Sequence, residues 1–303
     1  MNAIEIRNLS KSFRGMYAVD HLNMTVPQGA IYGFIGENGS GKSTTEKLIC
    51  GHLVANEGEI KLFGKEHTDP GVRARVGALI ENAGCFPNSS VYQNLMMQAI
   101  NLGIENRDEE IMRVLKIVRM EDSCNIKFKS CSLGMKQRIG IAMALLGSPA
   151  LLILDEPING LDADGMRIMR EILLDITKSC GATVLISSHI LGELEKIATH
   201  YGIIRQGKMI CEISAKDMES RARVFVSLKT KDMQGAYKVL NDHFKDVRLE
   251  EDFIRVYDVY ETELIVEHLL KNGHPVSHIE KNKVGLEEYY VELMSKKGGE
   301  AND

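Results

Sequence analysis

The chain has 303 residues, 44% apolar and 26% charged, with only 6 prolines, which excludes a mostly disordered or collagen-like polymer. That length exceeds the usual size of a single core, so one large domain with a smaller appendage is expected. Lys plus Arg total 37 against 42 for Asp plus Glu, a net charge of -5, which argues against a dominant basic surface for nucleic acid or anionic lipid.

Cysteines at 50, 85, 124, 131, 180 and 211 form no C-x-x-C pair and do not cluster with His. They read as thiols in a reducing compartment, neither a disulfide framework nor a zinc site. The first residues alternate around Ile4 to Arg7 where a leader would be basic and then apolar, and no stretch reaches the roughly 18–20 apolar residues that span a bilayer. A membrane process would need another chain to supply the membrane part.

In chain order, Ile4 to Leu9 and Val19 to Val26 are expected strands separated by an Arg14-Gly15 turn. Ala30 to Ile35 is a third, running through a glycine-rich loop into a helix over Thr44 to Cys50. Strands follow at Ile60 to Phe63 and Val76 to Ile80, then helices at Asn88 to Leu102 and Glu109 to Met120, within a helical insertion over about 88–145. Ser132 is placed to cap a helix that Pro149 would end. Leu151 to Leu154 and Thr183 to Ile186 are uninterrupted apolar runs, as strands inside a covered sheet should be, and a helix through about Ala198 follows His189. Beyond Ile203-Ile204 the pattern becomes more charged. Short elements at Val224 to Leu228, Ala236 to Phe244, Ile254 to Val256, Thr262 to Asn272 and Leu286 to Met294 suggest an α+β appendage over 212–303, after a first domain over 1–211. The polar tail from Ser295 is expected to fray.

Gly36-Glu37-Asn38-Gly39-Ser40-Gly41-Lys42-Ser43 matches G-x-x-x-x-G-K-[ST] in full, between a strand and a helix. Glycines allow successive N–H groups to turn around a phosphate, with Asn38 and Thr44 counted among the residues that bind it. Lys42 reaches the terminal phosphates, and Ser43 supplies an oxygen for Mg2+. The strand Leu151 to Leu154 ends in Asp155 and Glu156, the first placed to hold the metal and the second to orient or deprotonate an attacking water. His189 lies where it can touch the terminal phosphate, although an isolated His there is ordinarily a polar loop residue.

On these motifs residues 1–210 resemble the nucleotide-binding subunit of an ATP-binding cassette (ABC) transporter. The resemblance implies an α/β P-loop NTPase cassette with an antiparallel β subdomain, a Mg2+-dependent ATPase bound peripherally to the cytoplasmic face of the membrane through a permease. It implies pairing with a second ATP-binding subunit, and no nucleic-acid partner. Asn159-Gly160-Leu161-Asp162 matches the family's dimer-facing loop, and Phe13, with Tyr17 as a less favoured substitute, the aromatic that stacks on adenine. The family signature usually reads L-S-G-G-Q. Here Cys131-Ser132-Leu133-Gly134-Met135 keeps Ser132 and Gly134, which the family presents to the nucleotide of the opposite subunit. Where the family has a Gln after a strand this chain has Glu81-Asn82, so Glu81 is the expected metal or water ligand, with slow hydrolysis as a consequence.

Both departures resemble the subgroup that exports bacitracin and bacteriocin-like peptides or confers immunity to them. The end L-E-E-Y-Y-V-E-L resembles the last helix of exporter accessory domains, with Tyr289 and Tyr290 as packing residues. An apolar cluster of Phe86, Pro87, Val91, Tyr92 and Leu95 is a candidate coupling surface, with at least half of it expected in the core. Two other functions compete with this one: a nucleotide-gated immunity or binding module, and a non-transport cassette ATPase in translation or DNA repair.

Overall fold

The computed structural model describes residues 1–259 and 261–296. The tail beyond 296, where fraying is expected, lies outside the described residues. The chain divides into two compact units, residues 1–215 and 216–303.

The first unit begins with a hairpin of β1 (Asn2–Phe13) and β2 (Met16–Pro27). Arg14 and Gly15 both take left-handed backbone, at φ 50° and 84°, which matches the turn to the right-handed twist of its strands. Next come β3 (Ile31–Ile35), α1 (Lys42–Ile49), β4 (Glu57–Leu62), β5 (Lys65–Glu66), α2 (Pro70–Arg73) and β6 (Val76–Leu79). Strands β2-β1-β4-β5 form the antiparallel sheet. The helical insertion contains α3 (Val91–Asn101), α4 (Arg107–Ile117) and α5 (Leu133–Leu145). Ser90 and Gln93 make a reciprocal capping box on α3, and the Ser132 hydroxyl accepts from Met135 N–H to cap α5. Gly147 and Ser148, both at positive φ, turn the chain after α5, so the helix ends short of Pro149.

Then follow β7 (Leu151–Asp155), α6 (Ala163–Cys180), β8 (Thr183–Ser188), α7 (Leu191–Glu195), β9 (His200–Arg205), β10 (Lys208–Ser214) and α8 (Ala215–Arg221), which runs from the last residue of this unit into the second. The six-stranded sheet runs β10-β9-β3-β8-β7-β6, with β9, β3, β8, β7 and β6 parallel and β10 an antiparallel edge. Leu151 to Leu154 are 0% exposed because both faces of the sheet are covered. One core packs Ile4, Leu22 and Ile60 of the antiparallel sheet with Leu48 of α1 and with Phe34 and Ile153 of the parallel sheet.

Two helices of the first unit depart from expectation. The 18-residue α6 has no counterpart in the elements read above. Asp162 caps it, and only Met169, Ile172, Leu173 and Ile176 are buried, a stripe interrupted by many charges. The helix after His189 stops at Glu195, because Thr199 N–H already bonds the Ile31 carbonyl as the chain enters β9.

The second unit contains β11 (Val224–Thr230), α9 (Met233–His243), β12 (Val247–Leu249), β13 (Ile254–Tyr257), α10 (Thr262–Lys271), β14 (Val276–Lys283) and α11 (Leu286–Lys296). Its antiparallel order β12-β13-β11-β14 with two crossing helices is the split β-α-β arrangement, βαββαβ. Val226, Leu228, Ala236, Leu240, Ile265 and Leu269 build its main core. Phe225, Tyr257 and Val284 form a smaller one with Tyr289 of α11 packed on it. Among the described residues no disulfide forms and no helix is long and apolar enough to cross a membrane.

Candidate functional site

The carboxyl ends of β3, β7 and β8 lie side by side, with Ile35 paired to Ser188 and Asp155 to Ser187. In a parallel sheet this edge is where connecting loops form a ligand crevice. The loop after β3 wraps into the N-terminus of α1, which begins at Lys42, so Lys42 and Ser43 stand in its first turn. Gly41 is at φ 109°, and a side chain there would collide with the Ala18 carbonyl. A Cβ on Gly36 would collide with Ser40 Oγ and with Ile204. The cradle therefore requires bare backbone at both positions, and its N–H groups meet the favourable end of the helix dipole. Asn38, Gly39, Gly41, Lys42, Ser43, Thr44, Ala18 and Glu156 line a recess of about 150 Å³. Ser40 Oγ is buried and makes no hydrogen bond, and Ser40 N–H donates to the Glu37 carbonyl.

Lys42 is 5% exposed and its Nζ donates to the carbonyls of Gly36 at 2.6 Å and Glu37 at 3.2 Å, with Glu156 Oε1 at 3.8 Å. Ser43 Oγ donates to Asp155 Oδ2 at 3.0 Å. A hydroxyl and a carboxylate so placed are the hard oxygen donors Mg2+ takes, and the glycine cradle fits a phosphate chain. Ser187 adds a second tie: its Oγ donates to Asp155 Oδ1 at 2.8 Å and accepts the Glu156 N–H at 3.1 Å. Glu156 itself sits at φ 46°, a left-handed conformation that costs energy for a non-glycine residue and is held by these neighbours. His189 Nδ1 lies 2.9 Å from Glu156 Oε2, and Asn159 Nδ2 donates to the same oxygen at 3.0 Å.

Lys42, Ser43, Asp155, Glu156 and His189 are thus brought together. Glu81 is not among them. It leaves β6 at φ 65°, and its Oε1 pairs with Lys47 Nζ at 2.5 Å, which holds its carboxyl below the usual acidity range. It does share a cavity of about 250 Å³ with Asp155 and Glu156, lined also by Phe128 and Gln137. Ser132 and Gly134 line a separate groove of about 380 Å³ with Gly160, Leu161 and Asp162. Gln137 Nε2 donates to the Asn159 carbonyl at 2.9 Å and so links α5 to the segment that orients Glu156. Phe13 stands at the tip of the first hairpin, 45% exposed, with Lys11 Nζ 5.2 Å above its ring, while Tyr17 is 55% exposed. In the candidate coupling cluster Val91 and Leu95 are core residues at 0% exposure and Phe86 is 61% exposed.

Sequence reasoning placed Asn159 in the dimer-facing loop but missed its bond to Glu156, and it missed Ser187, Lys47 and the inward-facing Glu46 altogether. The i, i+3 and i+4 spacing of Glu46 from Ser43 and Lys42 was the available signal, since it places all three on one helix face. Glu46 is wholly buried, and burial followed by the nearby charge of Asp155 pushes its carboxyl up to about 8.

Known proteins resemble this chain along most of its length. The family described as "ABC transporter" matches residues 19–159. The bacitracin transport ATP-binding protein BcrA of Bacillus licheniformis is 37% identical over 297 residues, covering 96% of this chain and 97% of that protein. The lantibiotic transport ATP-binding protein SrtF of Streptococcus pyogenes is 39% identical over 222 residues, covering 73% of this chain and 95% of that protein. Among solved structures cbiO1 from Clostridium perfringens, described as part of the ABC transporter complex cbiONQ, aligns with a TM-score of 0.66 at 25% identity, over 73% of this chain and 91% of that one.

Proposed function

Because this chain belongs to the ABC transporter ATP-binding subunits, we propose that it hydrolyses ATP in a nucleotide-sandwich pair to drive a separate membrane permease, with a peptide antibiotic of the bacitracin or lantibiotic class as cargo. The observation that carries the ATPase reading is the convergence of Lys42, Ser43, Asp155, Glu156 and His189 at one sheet edge. The cargo rests on similarity along nearly the whole chain to a bacitracin transport protein, second unit included.

Backbone N–H groups from Gly36 to Thr44 hold the phosphates, and Lys42 turns its ammonium from the loop carbonyls to the terminal ones. Ser43 and Asp155 would hold Mg2+, which when bound would supply positive charge against the phosphates. Glu156, aimed by Asn159 and His189, accepts a proton from the attacking water. Phe13 offers a face for adenine. Ser132 and Gly134 line a groove of their own, shared with Gly160, Leu161 and Asp162. They serve the nucleotide of a second subunit, with the N-terminus of α5 adding its dipole. Glu81 would reach a bound metal only by leaving Lys47.

The test is recovery of partners from mildly solubilised native membranes, using Glu156→Gln held in ATP and Mg2+. A polytopic permease identified by mass supports the reading and supplies a chain from which to find the cargo. Ribosomal or DNA-repair partners without a permease would overturn the transport role and leave the ATPase intact.

A further inference from the structure

Beneath the phosphate loop lies a titratable group for which the mechanism above has no use. Glu46 stands on α1 one turn beyond Lys42 and Ser43 and is 0% exposed. Its neighbours on the helix, Leu48 and Ile49, belong to the main apolar core. A carboxyl group in such a place is costly unless its oxygens find partners. Yet neither Oε1 nor Oε2 makes a hydrogen bond within the protein. An apolar side chain of the same volume would fill this space without that cost, so packing does not account for an acid here.

Its surroundings do. The Glu46 carboxyl lies near enough to Asp155, Ser187 and Lys42 for all three to act on it. Asp155 is meanwhile tied through one oxygen to Ser43 and through the other to Ser187. The buried ammonium of Lys42 is spent on the loop carbonyls of Gly36 and Glu37, with Glu156 at 3.8 Å, so it gives neither oxygen of Glu46 a hydrogen bond. Groups behind a metal ligand fix its orientation, and their loss typically costs about 10–100-fold in metal affinity.

We infer that Glu46 is a positioning residue for the metal, bracing Asp155 from the α1 side and lending its unpartnered oxygens to the hydrated cation that Asp155 and Ser43 hold. The inference rests on the nucleotide reading above. It adds to the loop-and-strand site a third acid, supplied by the helix interior.

Calorimetric titration of the full chain with the non-hydrolysable analogue AMP-PNP, once with Mn2+ and once with EDTA, separates the metal contribution from that of the nucleotide. Glu46→Leu should lower the Mn2+-dependent gain in affinity about 10-fold. Its affinity in EDTA should stay within about twofold of the original, and its melting temperature should not fall, since an unpartnered buried acid has been removed. Glu46→Gln, which keeps the shape and one acceptor oxygen, should recover most of the Mn2+ gain. Should Glu46→Leu not fold, Glu46→Met makes the same substitution with a side chain of closer shape. An unchanged Mn2+ gain in the apolar variant, or equal losses with Mn2+ and with EDTA, would overturn the inference. Absence of AMP-PNP binding by the unsubstituted chain in Mn2+ would instead overturn the nucleotide reading itself.

Discussion

Ser187→Ala removes a single oxygen that serves two acids. The residue is 0% exposed, donates to Asp155 Oδ1 at 2.8 Å and accepts the Glu156 N–H at 3.1 Å. A hydrogen bond to a charged group contributes about 1.5–3 kcal/mol, and a stranded buried donor costs about 1–3 kcal/mol. Both acids are only half-buried, so water recovers part of that loss, leaving a net cost of roughly 2–4 kcal/mol. At about 2–4 °C per kcal/mol for a unit of this size, melting should fall by roughly 4–16 °C. Turnover should fall as well, because Glu156 would lose the bond that holds its left-handed backbone. Differential scanning calorimetry and phosphate release on the same preparation make the test. A shift below about 1 °C with unchanged turnover would refute the assignment of Ser187 as the tie between the two acids.

Three further substitutions probe other parts of the site. Lys42→Ala should weaken ATP binding by roughly 10–150-fold, the equivalent of charge-assisted hydrogen bonds to phosphate, as read by calorimetric titration. Gly41→Ala places a Cβ against the Ala18 carbonyl at φ 109°, so it should abolish nucleotide binding and lower the melting temperature, as circular dichroism would show. Glu81→Gln releases Lys47 and should preserve or raise phosphate release with little change in melting, because the pair is exposed. A large loss of turnover would mean that the acid belongs to the working geometry of the site.

How far the sequence could be read depended on whether the chemistry was contiguous. The phosphate loop and the strand ending in Asp155-Glu156 each occupy one short stretch, and hydrophobic runs such as Leu151 to Leu154 reveal a buried strand without any partner. His189 took on meaning only through resemblance, since a lone histidine after a strand has no distinguishing neighbours. Ser187 and Lys47 act through partners 31 and 34 residues away, contacts that exist only after the strands and α1 come together, whereas Asn159 bonds Glu156 within one turn whose left-handed backbone no sequence pattern marks. The long α6 was hidden by its charges, and β14 because only its Val276, Ile279 and Asn282 are even partly buried, a spacing that does not alternate. Glu46 was obscured for the opposite reason: a charged residue on a helix reads as surface, and here the face it shares with Lys42 turns inward.

The most direct measurement is phosphate release from ATP and Mg2+ by the unsubstituted chain and by Glu156→Gln, side by side. Loss of a general base should slow turnover by roughly 100-fold or more while ATP binding persists. Equal turnover in the two chains would contradict the role given to Glu156 and with it the account of hydrolysis built on its neighbours.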